Sequence, residues 1–210
     1  MKVLFLYILL LIIFPNSAFS YSSIIGEENA TKSDTIVYEI DIEKSRLDWY
    51  CDIHDGYIML DSGYITIYNN EIIAGRFVIC MESLIDLDII DYELMRITFE
   101  NTLKSIEFFN TAKFHHSVFE FDYVQKTNSG YNITGELELM SVVQCIDFDA
   151  EFEFSNDKLI ATSDSITIDR THWGITSMSK DDAKSDRSFI VPNEIGIVVH
   201  LVAYEYSNSQ

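Results

Sequence analysis

The chain reads as an all-β protein: antiparallel, with about eight strands and one short helical insertion. The prediction rests on a period of two in the apolar residues, with one oily and one acidic face. Turn-forming residues separate these runs, and a single segment breaks the period. A sheet with one wet face is normally antiparallel.

Taken in order, Lys2 precedes an apolar run from Val3 to Phe14, which Pro15 ends. Ala18 and Ser20 then offer small residues before Tyr21. This is the layout of a secretory signal peptide over residues 1–20, cleaved near Ser20. Residues 21–36 are polar and read as a lead-in, 37–206 as one domain, and 207–210 as a short tail. From Thr35 onward, strand-forming residues dominate. Phe119, Phe121 and Tyr123 alternate with Glu120 and Asp122. Ile133, Leu137 and Leu139 alternate with Thr134, Glu136 and Glu138. Ile146, Phe148, Phe152 and Phe154 oppose Asp147, Asp149, Glu151 and Glu153, and Ile195, Ile197, Val199 and Leu201 share one face. Turns are expected at Asp61-Ser62-Gly63, Asn69-Asn70, Asn128-Ser129-Gly130 and Ser155-Asn156-Asp157. From Ser83 to Asn110 the apolar spacing lengthens to three or four, which suggests short helices. Strands alone must hide their edges, by closing into a barrel or by packing as two sheets. The pattern leaves both open, and with them a filled or a hollow centre.

Composition narrows the function. With 34 acidic against 14 basic residues the formal net charge is −20. That field repels phosphate backbones, so nucleic acid is excluded as a partner. Cys51, Cys80 and Cys145 match no zinc spacing. They allow one disulfide, whose pairing the sequence leaves open. His115 and His116 are neighbours and point to opposite faces of a strand, so no metal site is expected. No nucleophile elbow is present. Paired acids need a specific separation that composition does not supply, so no catalytic residue and no enzyme activity are expected.

Several segments resemble YceI-like proteins. Ser45-Arg46-Leu47-Asp48-Trp49 is similar to the family's opening strand, and His54-Asp55-Gly56 to the motif that follows it. Ala74 to Leu84 resembles its glycine-phenylalanine strand, and Leu103-Lys104-Ser105-Ile106-Glu107-Phe108-Phe109-Asn110 its double-phenylalanine signature. Phe119, the strand Tyr131–Leu139 and Ile168-Asp169-Arg170-Thr171-His172-Trp173-Gly174-Ile175 complete the series in order. Thr102 stands where many members have histidine.

The resemblance implies an eight-stranded lipocalin-like barrel with an apolar tunnel, periplasmic or secreted, binding a polyisoprenoid or other long-chain lipid without a cofactor. On this expectation the tunnel wall is drawn from Trp49, Phe77, Ile79, Phe108, Phe109, Phe119, Phe121, Ile133, Leu137, Phe148, Phe152 and Trp173. His54 and Arg170 are the candidates to meet a ligand's polar end. Transient membrane contact and a homodimer are both compatible with such a role. The competing expectation is a structural or protein-interaction barrel with a filled core.

Overall fold

The computed structural model describes residues 35–180, 182 and 190–206. The expected signal peptide, most of the expected lead-in and the tail at 207–210 lie outside the described residues.

The strands are β1 (Thr35–Ile40), β2 (Arg46–Cys51), β3 (His54–Tyr68), β4 (Glu71–Cys80), β5 (Ile85–Asp86), β6 (His116–Lys126), β7 (Tyr131–Leu139), β8 (Val142–Ser155), β9 (Lys158–Ser163), β10 (Ile166–Asp169) and β11 (Glu194–Glu205). One helix, α1 (Glu93–Lys104), is inserted between β5 and β6. Short 3-10 turns cover Met81–Ser83 and Arg170–Trp173. All eleven strands belong to one sheet in the order β1-β11-β2-β3-β4-β6-β7-β8-β9, with β10 on β11 and β5 on β3. β9 also pairs with β11, and β1 with β3, so the connectivity is ring-like. Every pairing is antiparallel.

This corrects the expected eight-stranded lipocalin-like barrel: the fold is an eleven-stranded sheet of ring-like topology with a helical insertion, not a true barrel. One added break comes from short local hydrogen bonds that compete with the ladder. Between β1 and β2 the Lys44 amide donates to the Asp41 carbonyl at 3.2 Å, and its ammonium sits 2.6 Å from the Asp41 carboxylate. Asp164 and Ser165 separate β9 from β10, with the Asp164 amide donating to the Asp149 carbonyl of β8 at 2.8 Å. β11 runs past both breaks, pairing with β2 and β1 on one side and with β10 and β9 on the other.

Three further expectations shift. Asp61-Ser62-Gly63 is not a turn. It lies inside the 15-residue β3, where the register against β4 slips between Leu60 and Ser62 as a bulge. A second slip between Phe121 and Tyr123 turns Tyr123 outward, to 59% exposure, instead of sharing the face of Phe121. The hairpins at Asn69-Asn70 and Asn156 do form, with positive φ at each asparagine. Met140 and Ser141 adopt the same left-handed conformation between β7 and β8, with nothing in their chemistry to announce it. The segment before α1 is not helical; it forms β5, which pairs with β3 at Gly56 and Tyr57.

Candidate functional site

Alternation along the strands sends every second side chain inward, and the inward set is almost wholly apolar. Leu47, Trp49 and Cys51 come from β2, and Ile58 and Leu60 from β3. Phe77 and Ile79 belong to β4, Ser117, Phe119 and Phe121 to β6, and Ile133, Leu137 and Leu139 to β7. Ile146, Phe148, Ala150 and Phe152 are on β8, and Ile195, Ile197, Val199 and Leu201 on β11. These side chains do not close on one another. They surround a cavity of about 490 Å³, within the range of ligand pockets, about 300–1,000 Å³.

Cross-strand glycines help to keep that space open. The rings of Phe77, Phe119, Phe121 and Phe148 form a cluster with centroids 5.5–6.4 Å apart. Phe121 lies over its β4 partner Gly75, where an added Cβ would stand 2.5 Å from the ring. Trp49 lies across its β3 partner Gly56 in the same way. A side chain at Gly75 would push the Phe121 ring toward the middle, and one at Gly56 would meet the Ile85 carbonyl of β5 as well as the indole.

Thirteen of the fourteen residues nominated from sequence line this cavity: Trp49, His54, Phe77, Ile79, Phe108, Phe109, Phe119, Phe121, Ile133, Leu137, Phe148, Phe152 and Arg170. Trp173 does not. It is buried beside β7, its indole N–H donating to the Leu137 carbonyl at 3.1 Å. Trp49 differs: its indole nitrogen is buried without a hydrogen-bond partner. Sequence reading missed Phe99, Thr102 and Leu103 of α1, and Met178 and the Ile190–Pro192 segment. These lie outside the strands, where a period of two gives no signal.

Arg170 is 2% exposed and holds loops together. Its Nε donates to the Pro192 carbonyl at 2.9 Å. Nη1 donates to Ile175 at 2.7 Å and Ser177 at 2.9 Å, and Nη2 to Val191 at 3.1 Å. The guanidinium carbon lies 5.8 Å from the Phe108 ring centroid. Burial lowers its pKa from the usual guanidinium value, and burial raises that of the neighbouring Cys51 thiol. Cys51, Cys80 and Cys145 are all free thiols.

His54 stacks on Phe99 of α1 with centroids 4.2 Å apart. Its Nδ1 lies 3.2 Å from the fully buried Asp86 carboxylate and 3.6 Å from Asp88. Among the described residues this is the one grouping whose ligand atoms could share a metal ion. The histidine already bridges the two carboxylates directly. Glu100 accepts from the Asp86 amide at 3.1 Å and pairs with Arg96 at 2.9 Å, which fastens α1 to β5.

Asp52, Ile53, Thr102 and Ile190 both line the cavity and are exposed to solvent. The mouth is therefore framed by the β2–β3 turn, the C-terminal half of α1 and the segment leading into β11.

Comparison with known proteins places this architecture among relatives. Residues 38–203 match the model of the YceI-like domain. Burkholderia cenocepacia BcnA is similar in structure, with a TM-score of 0.60 and 14% identity over 78% of this chain and 99% of its own. A polyisoprenoid binding domain from Saccharophagus degradans, implicated in plant cell wall breakdown, gives 0.56 at 13% identity, over 80% of this chain and 98% of its own. The Campylobacter jejuni YCEI protein gives 0.50 at 20% identity, over 65% and 75%. No curated protein matches this chain. The fold is consistent with hydrophobic-ligand binding.

Proposed function

This chain belongs to the YceI-like domain family, and on that premise we propose that it is an exported protein that encloses a long apolar lipid for storage or transport. The lipid class is a polyisoprenoid, an isoprenoid quinone precursor or a fatty amide. The single observation behind this reading is the cavity of about 490 Å³ with an apolar wall. Each CH₂ buried there is worth about 0.8 kcal/mol, so a long chain binds tightly with few hydrogen bonds. A ligand oxygen near Trp49 would satisfy the indole N–H that has no partner. Likeness to the polyisoprenoid binding domain from Saccharophagus degradans supports a polyisoprenoid as guest. Export is supported by the leader pattern of residues 1–20, and residues 37–206 are proposed as the binding domain. Acidic charge keeps nucleic acid away.

Organic extraction of the purified protein, followed by mass spectrometry, tests the proposal. One long-chain lipid recovered at close to one per chain is the expected result. Protein that yields no lipid, and that takes up none from a polyisoprenoid mixture, would overturn it.

A further inference from the structure

The helix beside the cavity mouth is turned the wrong way for a protein that meets only water. At 3.6 residues per turn, Ile97, Asn101, Leu94, Thr98, Thr102 and Met95 of α1 form one continuous arc, and all six are exposed. Leu94 is 82% exposed and Met95 61%. That arc carries no charge, on a chain of net charge −20. Arg96 and Glu100 turn inward and pair with each other, while Glu93 and Lys104 stand at the two ends of the helix. A surface helix in water normally shows the reverse.

The polar atoms of the arc are also hidden. The Thr98 hydroxyl donates to the Leu94 carbonyl at 2.7 Å, and the Thr102 hydroxyl to the Thr98 carbonyl at 2.9 Å. Threonines bonded back to their own helix need no water. The arc runs into the mouth at Thr102, where Ile53, 76% exposed, also lines the cavity.

We propose that this face is a membrane-docking surface: α1 lies in the headgroup layer of an uncharged, zwitterionic bilayer and holds the cavity mouth against the lipid. The inference rests on the proposed lipid cargo for its purpose. An acidic chain is repelled by anionic lipid, and a charge-free face loses nothing at a zwitterionic surface. At twelve residues α1 is too short to cross a bilayer, so it lies along the surface.

Flotation of the mature chain with pure phosphatidylcholine vesicles, with and without phosphatidylglycerol, is the test. The protein should float with phosphatidylcholine, and added phosphatidylglycerol should weaken binding. Leu94→Glu with Ile97→Glu should cut the bound fraction at least about tenfold, whereas Ile73→Glu, exposed on β4, should not. If the double variant does not fold, Met95→Glu, on the same arc and 61% exposed, carries the same expectation. No flotation, binding that requires anionic lipid, or a wild-type dimer that the double variant dissolves would each overturn the proposal; the last would mean that a second copy covers the face. The two proposals fail separately. Extracted lipid without flotation leaves the cargo standing, and flotation by a chain that yields no lipid leaves the docking face standing.

Discussion

At the scale of single residues, Arg170 changes meaning between sequence and structure. In the sequence it stands in a motif and invites a ligand's phosphate, because its fork suits that geometry. In the fold its donors are committed to the carbonyls of Ile175, Ser177, Val191 and Pro192. An ammonium cannot span four acceptors on two loops, so Arg170→Lys should cost about 3 kcal/mol in urea unfolding; a loss of only a few tenths would assign the side chain to ligand contact instead. Trp173 likewise has its polar atom committed within the fold. An aromatic in a motif reads as wall, but its indole bonds to Leu137, which fixes it beside β7. The wall strands were legible because inward and outward residues differ in kind, as with Phe148 and Phe152 against Asp149 and Glu151. Bond partners of buried polar groups leave no such periodic trace.

Among the elements, α1 is fastened by charge as well as by the stacking of Phe99 on His54. Asp55, Asp86, Asp88 and Glu100 crowd around His54 and Arg96 where the helix meets β3 and β5. Asp55 is held above the ordinary carboxylate range, first by its hydrogen bond with the Asp88 carboxylate, then by desolvation and by the charges of Asp88, Asp86 and Asp48. A raised value means that the folded chain disfavours the charged form, so stability falls as pH rises through it and returns below the unfolded value. Asp55→Asn should therefore melt above wild type near pH 7, with the gap closing toward about pH 3. A gap of equal size at both pH values would remove the carboxylate pair as its cause. The helix was foreseen only as a change of period between residues 83 and 110. Its boundaries were not, because Tyr92 supplies no side-chain cap and β5 is only two residues long. The bulge at Ser62 hid behind ordinary turn chemistry, since Asp-Ser-Gly serves a turn and a bulge alike.

For the whole molecule, charge and closure matter together. The outer face of β8 presents Asp147, Asp149, Glu151 and Glu153, and Glu120 lies directly opposite Glu136 between β6 and β7. Like charges in register repel, and salt screens them. Raising sodium chloride from about 20 mM to about 500 mM should lift Tm by about 3 °C; a falling Tm would show that ion pairs such as Arg76–Glu120 outweigh the repulsion. The antiparallel sheet was legible from alternation, but its ring was not, because partner choice between distant strands leaves no mark on spacing. β11 makes that ring, touching β1, β2, β9 and β10. A polypeptide is synthesised from its N-terminus, so this clasp is the last of the eleven strands to emerge. Until it arrives, β2 and β9 each keep one edge of bare backbone open to any passing chain.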